Sequence, residues 1–246
     1  MKVLLPPSET KHPGGSGAAL DVDALALPSL RTHREAVIDA LIALSADEDA
    51  AARVLKLSAS QREEIAHNAR LRTAPTLPAV DRYTGVLYDA LGAGSLGGWG
   101  RRWLGEHVLI HSAPFGPIGA LDPIPAYRLS AGTALPGIPP LRRHWADATT
   151  AALADATLLL DLRSEAYVAL GPVPVGVASA YVRVVTEQGR ALNHFNKKAK
   201  GELVRALAED RPRAKTRRGL MAWARDRGIV LRSTADAGAL ELVVAG

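Results

Sequence analysis

The chain contains no cysteine, which excludes disulfides, thiolate-held zinc or iron–sulfur centres, and any thiol able to sense or reduce an oxidant. Any redox connection must then be indirect. No stretch approaches the ~20 apolar residues of a membrane span. The apolar run at Val3-Leu4-Leu5 stops at Pro6 and Pro7, too short for a signal peptide, so a cytoplasmic protein without a membrane partner is expected. There is no G-x-S-x-G elbow, no H-E-x-x-H, and no Walker loop. The 7 histidines (His12, His33, His67, His107, His111, His144 and His194) offer one close pair. Read as parts of one strand, His107 and His111 lie about 13 Å apart, too far to share a metal. Neither a metal nor a cofactor is expected.

What is present is a folding composition, with 48% hydrophobic and 22% charged residues over 246 positions. Residues 2–5, 107–112, 158–162 and 180–186 read as strands, the last alternating faces and half solvated, and residues 229–232 and 240–244 as a closing hairpin. Helical spacing runs through residues 30–57, with a capping box at Ser60 and Glu63 opening a further helix to Leu71. More helices are read at residues 81–91 and 145–154. Between them, residues 113–125 form a rigid proline-rich crossing, and residues 126–130 start a strand. Strands at both ends favour a single compact α/β domain over residues 1–246, a mixed central sheet surrounded by helices.

Two features tempt and are set aside. Gly92-Ala93-Gly94-Ser95-Leu96-Gly97 fits G-x-G-x-x-G, yet it follows a helix and runs on into Gly98-Trp99-Gly100, so it reads as a flexible connection. Tyr83 and Tyr88, five apart on a helix, read as core-edge residues with wet hydroxyls.

Three strands empty into polar loops: residues 8–12, Ser112 onward, and residues 161–167. Lying side by side and pointing the same way, they would converge on a cleft holding Lys11, Ser112, Arg128, Asp161, Ser164, Glu165 and Tyr167. Asp161 and Glu165 would serve there as paired carboxylates, or Asp161 forms a local ion pair with Arg163; the spacing leaves both open.

Charge is concentrated elsewhere. From Arg190 to Arg232 there are thirteen Lys and Arg against four acids, a balance of +9 in a chain of +5, so the remainder carries −4. The block opens at residues 194–203, where Ala199, Leu203, Ala206 and Leu207 would face inward and leave Lys197, Lys198, Lys200 and Arg205 in solvent. Pro212 ends that helix, and Arg213, Lys215, Arg217 and Arg218 bridge to a second one at residues 219–227. Two short helices on a basic turn suit a phosphate backbone, so the expected partner is duplex DNA, bound with salt sensitivity and little sequence selectivity. Only Phe195 and Trp223 offer stacking surface in the block, which argues against a single-strand platform.

Leu4-Leu5-Pro6-Pro7, Tyr83-Thr84-Gly85, residues 116–129 with Leu121-Asp122 and Tyr127-Arg128-Leu129, Trp145, Ser164 with Tyr167, and Lys197-Lys198-Ala199-Lys200-Gly201 together resemble the YaaA-type peroxide-stress proteins in order and spacing. The resemblance implies a compact α/β domain with a positive cleft, a helix–hairpin–helix-like element, DNA binding, and a role in limiting oxidative damage by keeping free iron low. The chain departs from the family pattern in delaying its first-loop lysine to Lys11, in Gly119-Ala120 and Ser130, and in Ala166 between Glu165 and Tyr167, which suggests a divergent branch. The alternative is an enzyme acting on a nucleotide or nucleobase-like small molecule in the polar cleft.

Overall fold

A computed structural model describes residues 1–190, 196–236 and 238–244. The elements, in chain order, are β1 (Lys2–Leu5), α1 (Arg31–Leu44), α2 (Glu48–Leu55), α3 (Ile65–Ala69), β2 (Leu77–Pro78), α4 (Ala79–Arg82), α5 (Val86–Leu91), α6 (Gly98–His107) and β3 (Val108–Ser112). They continue with β4 (Gly116–Gly119), β5 (Pro123–Ile124), α7 (Leu141–Ala152), β6 (Leu159–Asp161), α8 (Glu165–Val168), β7 (Ser179–Thr186), α9 (Asn196–Asp210), α10 (Arg217–Asp226), β8 (Val230–Ser233) and β9 (Ala239–Val244).

The main sheet has the order β4-β3-β1-β6-β7-β9-β8. Its five inner strands are mutually parallel, and β4 and β8 close the two edges antiparallel. Period-2 alternation sorts their side chains. Val3, Leu5, Ile110, Leu160, Val182 and Leu242 enter the main core with α1, α5 and α9, while Leu4, Leu109 and Leu159 pack with Leu153 on the opposite face. Because β1 pairs in parallel with both β3 and β6, the loops that leave all three strands emerge at one edge of the sheet.

Several local readings are corrected by longer-range packing. The crossing at residues 113–125 contains β4, which pairs with β3, and β5, which pairs with β2. Residues 126–130 join no sheet; Asn68 stands in for a neighbouring strand, its side chain donating to Arg128 O (2.8 Å) and accepting from Arg128 N (2.8 Å). Residues 30–57 form two helices, the second capped by Asp47 accepting from Ala50 N. The capping box belongs to Ser58 and Gln61 and opens a 3-10 turn before α3. Residues 81–91 are broken at Gly85, whose φ of 94° lies in the region that favours glycine. Gly98 starts α6 instead of prolonging a loop, and His107 ends that helix with Nδ1 at Met1 O, so it does not share a strand with His111.

Candidate functional site

The strand-end edge carries a cleft of about 820 Å³. One wall is residues 6–10 after β1, a second is residues 84–88 at the start of α5, a third is residues 162–167 after β6, and Tyr181, Lys197 and Lys200 complete it. The first two walls are pinned together. His12 N donates to Arg82 O and Thr84 N to Thr10 O, and Thr10 Oγ1 donates to Thr84 O. Gly85 supplies the turn between them through its positive φ; a Cβ there would make only ordinary contacts with Thr10 Oγ1 (3.4 Å) and Ser8 Oγ (3.5 Å).

Of the residues expected in the cleft, Ser164, Glu165 and Tyr167 line it. Lys11, Ser112, Arg128 and Asp161 are placed behind it. The Lys11 ammonium donates back to Ser8 O (3.0 Å) and Glu9 O (3.1 Å) and lies 4.2 Å from the centre of the Tyr127 ring, so it fastens the loop instead of facing a ligand. Ser112 Oγ donates to Tyr127 Oη (3.2 Å). Arg128 lies between Glu64 (3.5 Å) and Glu9 (3.9 Å). Asp161 is buried and held by Arg163 through Nη2 (2.6 Å) and Nε (2.9 Å), so the local ion pair is what forms and the paired-carboxylate reading with Glu165 fails. Arg163 Nη1 also donates to His111 Nδ1 (2.9 Å), placing the histidine's own proton on Nε2. Burial first, and Arg163 second, hold His111 neutral, well below its ordinary pKa.

Apart from Tyr167, the tyrosines are what residue-by-residue reading missed. The chain has 5 of them, and all gather here. Tyr88, Tyr167 and Tyr181 line the cleft. Tyr83 stacks on Tyr88 with ring centres 5.2 Å apart and shares a 2.8 Å hydroxyl hydrogen bond with Tyr127. Tyr88 Oη donates to Pro6 O (2.7 Å), so neither Tyr83 nor Tyr88 keeps a wet hydroxyl. Burial raises the pKa of each of the four innermost rings.

The basic block divides. Lys197 and Lys200 line the cleft. Lys197 is exposed, but Lys200 is turned inward and buried, against the expectation of a solvent-facing residue, with its amine 5.7 Å from the centre of the Tyr181 ring. Lys198 is exposed and lies 3.6 Å from Glu202. Arg205 is not a solvent-facing cation either: it donates to Leu91 O, Gly92 O and Ser95 Oγ and pairs with Glu209. Arg213 and Lys215 lie with Met1, Trp99 and Arg102, at the opposite end of β1 from the cleft. Arg217 donates to Ala239 O, and Arg218 lies beside Met221 and Val230. Trp223 donates from Nε1 to Asp210 Oδ2 (3.0 Å). Phe195 and His194 lie outside the described residues.

Lys11 imposes a pH dependence on the fold. Burial, and next Arg128, lower its pKa from 10.5 to about 7. Between those values the unfolded chain binds more protons than the folded one, so stability rises with pH. Lys200, lowered to about 8 mainly by burial, acts in the same direction. In urea unfolding, stability is expected to rise by about 3–4 kcal/mol from about pH 7 to about pH 9, with about 2 kcal/mol of that gain lost in Lys11→Met. Equal pH slopes in the two proteins would refute this.

A family model described as peroxide stress protein YaaA matches residues 1–227. The chain is 47% identical over 229 residues to a UPF0246 protein of Corynebacterium efficiens, covering 90% of each chain. A UPF0246 protein of Streptomyces coelicolor is 44% identical over 214 residues, covering 84% of this chain and 82% of its own. One from Streptococcus pneumoniae is 25% identical over 223 residues, 85% and 86% of the two chains.

Proposed function

This chain belongs to the family of the peroxide stress protein YaaA, and on that premise we propose that it binds DNA during peroxide stress, holding the backbone at the head of α9 and admitting a nucleotide to the cleft beside it. The observation that carries this reading is that Lys197 and Lys200, one turn of α9, line the same cleft as the strand-end loops. Exposed Lys197 and Lys198 suit phosphates, and the rings of Tyr88, Tyr167 and Tyr181 give a base something to lie against. Arg213 and Lys215 would join only if the duplex runs the length of α9, roughly 22 Å for its 15 residues. Arg205 holds α5 and contributes through that packing. In this reading α9 and α10 act as the helix–hairpin–helix-like element. In this reading the limiting of oxidative damage and of free iron is tied to DNA engagement.

Fluorescence anisotropy with a short duplex across a salt series tests this. Affinity is expected to fall steeply with salt, and the double change Lys197→Ala, Lys198→Ala to lower the log–log slope by about 2 and the affinity about tenfold or more. Affinity indifferent to salt, or unchanged in the double variant, would rule the reading out. Loss of slope in an Arg213→Ala, Lys215→Ala protein would report a duplex lying along α9.

A second reading, an enzyme acting on a nucleotide or nucleobase-like small molecule, is favoured by the same three tyrosine rings in a cleft of ligand size. Saturable thermal stabilisation by mononucleotides, undiminished in the Lys197→Ala, Lys198→Ala protein, would favour it over DNA binding.

A further inference from the structure

We infer that Lys200 is an imine-forming residue, and that its substrate is the aldehyde of a ring-opened sugar phosphate presented in the cleft. The inference deepens the proposed function and rests on that reading of the cleft.

Three observations place the amine. Lys200 is 5% exposed, yet it lines the cleft, with the face of Tyr181 against it and no hydrogen-bond acceptor among the described residues. The nearest carboxylate that acts on it, Asp161, is already engaged twice by Arg163. A lysine whose stem is buried and whose amine has no acceptor among the described residues carries a desolvation cost that leucine or methionine at the same place would avoid, and that amine opens to the cleft. That makes the position one where the amine itself is needed.

The helix that carries it is fixed. At the adjacent Gly201 a Cβ would come within 2.2 Å of Leu87 O and 2.9 Å of Ala90 Cβ, so α9 and α5 touch backbone to backbone at this point. Four residues on, Arg205 clamps the last carbonyls of α5. Lys200 is therefore held by two rigid helices and not by a mobile side chain reaching in from solvent. Its surroundings also select the free base: burial lowers the ammonium pKa to about 8, with Asp161 opposing. Near neutral pH an appreciable fraction is unprotonated and nucleophilic. Lys197 is at hand for a phosphate, and Ser164, whose hydroxyl does not cap α8, for a sugar hydroxyl.

The chemistry needs no co-reactant. The free amine of Lys200 adds to the carbonyl carbon, giving a carbinolamine. Protonation of its hydroxyl lets the C–O bond break with loss of water, and the nitrogen lone pair closes the C=N bond as a protonated imine. Hydrolysis by the reverse route returns aldehyde and amine.

Such an aldehyde has two sources, an abasic site in DNA or a free pentose phosphate. The full chain is incubated with sodium cyanoborohydride and either a duplex carrying one abasic site or ribose 5-phosphate, then digested and mapped by mass spectrometry. The expected result is a reduced secondary amine on Lys200, labelled about tenfold more than Lys198, in whichever arm supplies the natural source. Label is expected to vanish from this peptide in Lys200→Arg, which keeps the charge. No adduct at Lys200 in either arm of the wild-type protein overturns the inference, as does labelling spread evenly over exposed lysines. Anisotropy on an intact duplex separates the two failures. A protein that binds duplex but is never labelled at Lys200 loses the imine and keeps the DNA reading, whereas labelling by ribose 5-phosphate without duplex binding does the reverse.

Discussion

Arg163→Met is expected to destabilise the protein by about 3–5 kcal/mol. Arg163 and Asp161 form an ion pair with 0% and 2% of their side chains exposed, and the same guanidinium donates to His111 Nδ1 and Tyr167 O. Methionine fills the volume but strands a buried carboxylate and removes the donor to a buried histidine, and an uncompensated buried charge outweighs any gain in apolar packing. Urea unfolding at neutral pH reads the loss. The double change Arg163→Met, Asp161→Leu is expected to recover much of it, because replacing both partners removes the orphaned charge. A single change costing under about 1 kcal/mol would mean that solvent reaches Asp161 and that the pair is not a dry floor beneath the cleft. Residues 162–167 are carried on this pair, so the single variant should also lose whatever affinity the cleft has.

Gly201→Ala, the second large effect, pits two terms of opposite sign against each other. Alanine in a helix interior gains about 1 kcal/mol over glycine. Here its methyl would stand 2.2 Å from Leu87 O, a backbone atom that a rotamer change cannot move, so α9 and α5 must separate. Overpacking of this kind costs about 1–3 kcal/mol or more, and a contact this short belongs at the upper end; a net loss of about 2 kcal/mol is expected. Gly98→Ala is the control. No atom approaches within 4 Å of a Cβ at Gly98, in the first turn of α6, and its φ is unexceptional, so helix preference should act alone and stability hold or rise. Equal outcomes for the two variants would show that the close helix crossing does not set the position of Lys200.

Much of this architecture is written in local patterns. Alternating or wholly apolar runs such as residues 2–5, 158–162 and 180–186 become strands because period-2 burial needs nothing beyond its own spacing. The polar loop that follows β1 and the one that follows β6 are equally visible, and their convergence required only that the strands be parallel neighbours. The family was legible in the order of several short motifs over nearly the whole chain, and the family model matches residues 1–227. Where spacing and propensity were the whole signal, errors stayed small, as with the capping box read two residues late at Ser60 in place of Ser58.

Direction and partnership were another matter. Nothing in Lys197-Lys198-Ala199-Lys200 distinguishes the third lysine from the first, yet a close crossing with α5, permitted by Gly201 and seen only when residues 87 and 201 meet, turns Lys200 inward and leaves Lys197 in water. A charge of +9 spread over 43 positions reads as one patch along the sequence, but α9 carries it from the cleft to the far end of β1, and it arrives as three separate surfaces. Tyr83 and Tyr127, 44 residues apart, share a hydrogen bond whose existence depends on two loops folding onto one sheet edge. The sequence by itself determined which residues are buried along each strand and which loops are polar, because those follow from the chemistry of near neighbours. Which lysine becomes an amine in a cleft, and which a surface charge, was decided by contacts between segments more than a hundred residues apart.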